Sequence, residues 1–476
     1  MAFGFFKKSE TADTIFMGGK IFTQNSDFPW AEAVACKDGV IIAVGDYEDL
    51  TEFEGKHTEI VDLEGGTMLP GYIDTCGHPV IKAFKNSCLF LTEGNLEETL
   101  AQVSDYAAKA EGDRTIFAYG FNENILEGVE TAQTRASLDA ISTELPIMIL
   151  GKSGLHCFVN TVAADAVKAA AEEDEVTTIS LAYIMNILEP IDLDTMPESV
   201  PLSIGKYSQR GFTSVFDCGA PELFTNIYQN MMVHMFQENW IKQRFYGSLL
   251  VTRNVAPVPM IRRLSQFKTT CVELNGLVNF NTLKLVVDRT AEPYALSEEI
   301  LRELCLEACD KGFDLHIDAL GEDAVLEAIE VFAATRSAGY KKSSYTLAHD
   351  KSVHLEELTD SGIIQDIMES APTYGRTDED WLCIENAKSI ENAIDMLTID
   401  AAVQLGINSS FGSIENGKQA DFVIFDQNPF EAADLEEFKK MKSAMTIIRG
   451  EIVYDANEDN IEEWHSALLD QEDSTL

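Results

Sequence analysis

Hydrophobic and polar positions change texture twice along the chain. From Asp13 to Gly66, short β-rich runs alternate with turns, in Thr14–Phe16, Lys20–Thr23, Ala33–Cys36 and Val40–Gly45. Asp38-Gly39 separates the last two runs, and this dipeptide favours a two-residue hairpin because both positions tolerate positive φ. The same texture returns in Asp421–Phe425, Ala444–Gly450 and Glu451–Tyr454. Two β-rich ends around a different middle predict a small β-sandwich assembled from residues 12–69 and 409–455.

In the middle, strand-like and helical stretches alternate. Strands are predicted at Gly211–Asp217, Arg244–Val251, Leu283–Asp288, Phe313–Ala319 and Tyr345–His349. Between them, Glu298–Lys311 sets Ile300, Leu301, Leu304, Cys305 and Ala308 on one helical face, with Ser297 as N-cap and Gly312 just past the end. This alternation predicts an α/β fold with a parallel sheet, and the length predicts a (β/α)8 TIM-like barrel over 70–408, with an inserted α/β segment at about 85–205. Met68–His78 reads as one strand. Alternation places Tyr72, Asp74, Cys76 and His78 on one face, the last two at the C-terminal end, where a barrel keeps its chemistry.

Composition narrows the partners. The chain has 476 residues, of which 45% are hydrophobic, and lacks an apolar run of membrane-spanning length. Its formal charge of −45 argues against nucleic acid or an anionic membrane as partner, because both need a positive footprint. A small molecule is the expected partner, and self-association stays open. Met1–Lys8 carries no long apolar core of a secretory signal, so a cytoplasmic location is expected. Nine dispersed cysteines read as reduced thiols, and residues 456–476 as an acidic tail.

Few residues carry chemistry. Cys76 and His78 could share a soft divalent ion such as zinc; alternatively the cysteine packs as a small hydrophobe beside a hydrogen-bonded histidine. In Phe313–Gly321, Asp314, His316 and Asp318 share the face opposite the apolar residues. Asp318 then lies at the strand end, with His316 one layer, roughly 6.6 Å, deeper. Asp318 could bind metal or act as base, or belong to an inert polar layer. Lys284 lies in mid-strand on the face of Val286 and Asp288, and a buried ammonium cannot stay unpaired. It pairs with a carboxylate, bridges metals as a carbamate, or sits on an exposed edge. His349 ends a strand, with Asp350 as an orienting carboxylate. No phosphate loop and no G-x-S-x-G elbow is present.

Together these residues resemble a known family. Asp62–Asp74 is similar to the entry into the barrel of the amidohydrolase superfamily, and Gly412–Asp421 to its exit. Val159-Asn160-Thr161, Gly211–Asp217, Thr290-Ala291, Pro293-Tyr294 and Leu397-Thr398 resemble the branch of the YtcJ-like and N-substituted formamide deformylase-like proteins. The resemblance spans about residues 12–455. It implies a metal-dependent barrel that hydrolyses amide-type C–N bonds, with a β-sandwich made by the two ends.

Its site residues transfer unevenly. Cys76 and His78 stand where the family has a histidine pair, and Asp318 stands at the strand-5 histidine, with Gly321 fixing the register. His349 keeps the strand-6 position, and Lys284 matches the site of a carboxylated lysine in some members. The family's strand-8 aspartate falls on Ser370 of Glu369–Pro372. From His349 to Thr398 the chain is short for strands 6 to 8, which implies an incomplete barrel. Two functional expectations follow. In one, Cys76, His78, Lys284, Asp318 and His349 hold a divalent metal, zinc by their chemistry, and Asp318 or Glu369 takes the proton of the attacking water. In the other, a catalytically inactive scaffold keeps the fold to bind a ligand.

Overall fold

The computed structural model describes residues 11–77, 79, 88–92, 94–110, 112, 114–122, 131–151, 157–173, 181–190, 205–219, 237, 242–272, 277–289, 296–340, 342–349, 384 and 387–457. The chain divides into two compact units. One comprises Met1–His78, Leu202–Gly219 and Val233–Leu476, the other Pro79–Pro201 and Ala220–Met232.

The strands in chain order are β1 (Thr14–Phe22), β2 (Trp30–Lys37), β3 (Val40–Gly45), β4 (Glu59–Asp62), β5 (Thr67–Pro70) and β6 (Tyr72–Gly77). There follow β7 (Leu89–Phe90), β8 (Ile116–Phe121), β9 (Ile147–Gly151), β10 (Cys157–Val159), β11 (Phe212–Asp217) and β12 (Arg244–Val251). The last six are β13 (Val278–Asp288), β14 (Asp314–Leu320), β15 (Tyr345–His349), β16 (Phe422–Phe425), β17 (Met445–Ile448) and β18 (Glu451–Asp455).

In the larger unit both chain ends build one eight-stranded sheet, ordered β18-β17-β16-β5-β1-β2-β3, with β4 paired to β1. Asp38 and Gly39, at φ 51° and 76°, make the expected hairpin turn between β2 and β3. Strand β1 is continuous, where the sequence suggests two runs. A register shift between Met17 and Ile21, with Gly18 at φ 83°, bends it so that its first half pairs with β4 and its second with β5. Apolar residues cover both faces: Ile15, Ala33, Ala35 and Leu50 pack in one cluster, Phe16, Val34, Cys36 and Phe422 in another. This two-sided burial follows from consecutive apolar residues rather than strict alternation.

The second sheet of this unit is parallel, ordered β15-β14-β13-β12-β11-β6. Helices Pro257–Val272, Glu298–Asp310 and Glu322–Ser337 connect its last strands. Glu298–Asp310 buries Leu301, Leu304, Cys305 and Ala308 as the periodicity predicts. Ser297 sits at the N-cap in extended conformation but makes no side-chain cap bond; its own N–H donates to Asn254 Oδ1 at 2.8 Å. Strand β13 begins at Val278, five residues before the expected Leu283. Its polar Asn281 is accommodated by donating to Asp314 Oδ2 at 2.6 Å and accepting from Lys268 Nζ at 2.6 Å.

The expected single strand Met68–His78 is two strands in two sheets. β5 pairs with β16, and after Gly71 the chain enters β6, which pairs with β11. Gly71 donates its N–H to the Asp421 carbonyl at 2.9 Å. A side chain there would meet Thr213 Cγ2 and Oγ1 at 2.3 Å, so only glycine lets the two sheets approach. The smaller unit carries a four-stranded sheet, β10-β9-β8-β7. Its Val103, Ile116, Ala118, Leu138 and Ile147 form a core of their own.

Candidate active site

Register across the parallel sheet determines which side chains meet. Lys284 of β13 pairs with Leu250 of β12 and with His316 of β14, and His316 with Thr346 of β15. Two residues further along, Val286, Asp318 and Ala348 form the next row. In a parallel sheet, paired residues share a face. Lys284, His316 and Asp318 therefore lie together, and the ring of Phe216 from β11 confirms which face this is. It stacks on His316 with centroids 5.4 Å apart and planes 8° from parallel, although β12 and β13 separate the two strands. The rings meet across the concave side of the sheet.

At the C-terminal end of this face, Lys284 Nζ lies 3.8 Å from Asp318 Oδ2. The lysine side chain is 4% exposed and the aspartate 19%. A carboxylate partner, one of the arrangements the sequence leaves open for Lys284, is present. Asp74 of β6 and Asp217 of β11 are buried nearby in the sheet. Asp217 Oδ1 accepts the Gly219 N–H at 2.8 Å, and its carbonyl accepts from Ser248 Oγ at 2.9 Å. Gly219, at φ +81°, makes this turn, with Ser248 only 3.0 Å from where a Cβ would stand. At Gly77, a Cβ would stand 2.6 Å from Asp74 Oδ2 and 3.0 Å from Tyr207 Oη. Glycines at both strand ends thus let the buried polar groups crowd the backbone.

Cys218 reports the charge of this pocket. Burial pushes its thiol up to about 11; Lys284 opposes the shift, while Asp217, Asp74 and Asp318 reinforce it. The group is a thiol at neutral pH, and a thiol is a poor nucleophile and a poor metal ligand. Its N–H donates to the Gly77 carbonyl at 2.9 Å, which ties β11 to β6.

The other expected site residues are distributed as follows. Cys76 lies on β6 and His349 on β15, where its backbone pairs with Ala319; both side chains, with all of His78 and Glu369, lie outside the described residues. Among the described residues, no three His, Cys, Asp or Glu side chains stand close enough to hold one metal ion. Asp314, placed by alternation on the same face as Asp318, sits at the opposite end of β14. It accepts from Asn281 and from the Ser344 N–H at 2.7 Å, and burial raises its carboxyl. Asp74, Phe216, Asp217 and Cys218 were given no role by sequence reasoning. Their one signal is position, at or near the C-terminal ends of strands that alternate with helices.

This arrangement has known counterparts. A metal-dependent hydrolase from Pyrococcus horikoshii OT3, itself uncharacterized, superposes with a TM-score of 0.58 at 15% identity, over 88% of this chain and 98% of its own. An adenosine deaminase from Xanthomonas campestris, solved with bound zinc, superposes with a TM-score of 0.53 at 11% identity, over 98% and 99%. At such identities the likeness shows the fold alone. The N-substituted formamide deformylase of Arthrobacter pascens is 19% identical over 94% of this chain and 99% of its own. The exoenzymes regulatory protein AepA of Pectobacterium carotovorum subsp. carotovorum is 24% identical over 70% and 79%. The profile of the amidohydrolase family matches residues 59–365 and 358–454, well over half of the chain, and the protein belongs to that family.

Among the described residues, no helix is long and apolar enough to cross a membrane.

Proposed function

We propose that the protein is a hydrolase that cleaves an amide-type, non-peptide C–N bond of a small molecule at the C-terminal end of its parallel sheet. The observation that carries this reading is the Lys284–Asp318 ion pair. It places a largely buried ammonium and a partly open carboxylate together at the end of the sheet where this fold keeps its chemistry. The eight-stranded sheet of the two chain ends is read as the small β-sandwich.

A divalent metal fits the charge of the pocket, in which Asp74, Asp217 and Asp318 set three carboxylates against one ammonium. Cys76, His78 and His349 would hold the ion, with Asp318 beside them, and thiolate with imidazole suits zinc. Bound there, the metal supplies a water that ionises near neutral pH and a Lewis acid for the substrate carbonyl. The other steps fall to the chain. Asp318, at the strand end, accepts the proton of the attacking water and returns it to the leaving nitrogen. Glu369 is the alternative acceptor offered by the sequence. The Phe216–His316 stack, one layer deeper, closes the pocket below.

A second reading is a catalytically inactive scaffold that binds a small ligand. It is favoured by Cys76, Asp318 and Ser370, which stand where the resemblance puts two histidines and an aspartate. Elemental analysis of protein purified without chelator, on wild type and Cys76→Ala, separates the two when run beside a panel of N-formyl, N-acyl and cyclic amides. Stoichiometric zinc that is lost in the variant, with release of an amine by wild type, supports the hydrolase. Metal-free, folded protein that is inert to the panel supports the scaffold.

A further inference from the structure

Exposure along the inner face of the parallel sheet rises toward one end only. On β13, Lys284 is buried, while Val286 and Asp288 further along the same face are half-buried. On β14, His316 is buried, Asp318 half-buried and Leu320 40% exposed. The residues between them face the other way, and all are buried: Leu283, Leu285 and Val287 on β13, and Leu315, Ile317 and Ala319 on β14. A closed outer face beside a graded inner one marks a pocket that opens at the C-terminal ends of these strands.

The walls of that opening are apolar. In the row of Asp318, its neighbours are Val286 on β13 and Ala348 on β15; one step further out, roughly 6.6 Å along the strand, Leu320 ends β14 diagonally to Val286. A single exposed leucine means little by itself. Here it continues the line of Asp318, so that apolar surface begins at the candidate base and runs outward. We infer that Val286 and Leu320 form a subsite for a hydrocarbon group carried by the substrate beside the C–N bond that is cleaved. The subsite rests on the hydrolase reading and gives it a substrate class, an amide with an uncharged alkyl substituent. Covering these walls with methylenes removes apolar surface from water on both sides, worth about fourfold in binding for each methylene fully buried. A charged or strongly hydrated substituent would lose hydration there and find no partner in the valine, alanine or leucine side chains.

A series of N-alkylformamides from methyl to pentyl, offered to the full chain, tests this. Where amine is released the readout is kcat/KM; where it is not, the readout is the dissociation constant from calorimetric titration of the same compounds. Wild type is expected to favour each longer member by roughly two- to fourfold. Leu320→Ser is expected to lose about tenfold on the pentyl compound and nothing on the methyl compound, with the loss in KM rather than kcat, because the subsite binds a part of the substrate that does not react. Leu320→Met keeps an apolar side chain and is expected to retain the wild-type gradient. The exposure of Leu320 lets the serine variant fold, which its urea midpoint checks. A flat series in wild type, or a folded Leu320→Ser variant with the full gradient, overturns the inference. Graded affinity without amine release overturns the hydrolase reading and leaves the subsite standing, whereas amine release without a gradient does the reverse.

Discussion

The guanidinium of Arg244 closes on the carboxylate of Asp421, Nε donating to Oδ2 at 2.7 Å and Nη2 to Oδ1 at 3.1 Å. Arg244 opens β12 of the parallel sheet and Asp421 precedes β16 of the terminal sheet, so this buried pair joins the two. Gln419 Oε1 accepts a third bond from Nη2 at 2.9 Å, the Phe411 ring lies 4.8 Å from the guanidinium, and the Arg449 N–H donates to Asp421 Oδ1 at 2.9 Å. Removing one partner leaves a buried charge uncompensated. Asp421→Ala is expected to lower unfolding stability by about 3–5 kcal/mol in a urea titration. A change of less than about 1 kcal/mol would show that the pair contributes little to joining the sheets.

Gly71 marks the passage of the chain from one sheet to the other. A methyl group there meets two atoms of the Thr213 side chain at 2.3 Å, and Thr213 is itself buried. Gly71→Ala is expected to cost about 1–3 kcal/mol of stability, the usual penalty of overpacking. Thr213→Gly in the same chain should recover part of the loss. Thermal unfolding of the single and double variants measures this, and additive losses would place the strain elsewhere.

Stability above neutral pH carries the signature of Cys218. Its thiol is raised from 9.0 to about 11 in the folded state, chiefly by burial, so the folded protein favours the neutral form. A group raised in this way stabilises the fold fully below its unfolded pKa, and the contribution is lost as pH climbs through the folded value. Stability from this group should therefore fall between about pH 9 and 11, by roughly 3 kcal/mol at most. Cys218→Ala is expected to flatten the alkaline limb of a urea-midpoint profile over that window. Identical slopes in the two proteins would mean that the thiol does not titrate with unfolding.

Much of the scaffold was legible from local pattern. Arg244–Val251 and Tyr345–His349 have the predicted limits, Glu298–Asp310 buries the predicted face, and Asp38-Gly39 turns as expected. Pattern failed where a distant partner decides. Nothing local separates β5 from β6, because the break at Gly71 is set by Thr213 and Asp421, which are far along the chain. The early start of β13 was hidden by Asn279 and Asn281, and the latter is stabilised only once Asp314 and Lys268 reach it. At the site, the burial of Lys284 and the need for a carboxylate partner could be inferred from one strand. The gathering of Asp74, Asp217, Lys284 and Asp318 around Cys218 could not, since their strands are brought together only by the sheet.

Hydrolysis of a C–N bond at the end of the parallel sheet should depend on the Asp318 carboxylate. The decisive experiment compares amine release from N-formyl and N-acyl substrates by wild type and by Asp318→Asn, with circular dichroism to confirm that both are folded. Wild type is expected to release amine, and the variant to be slower by about 10²-fold or more, as loss of a general base entails. A folded Asp318→Asn variant that releases amine as fast as wild type would contradict the claim.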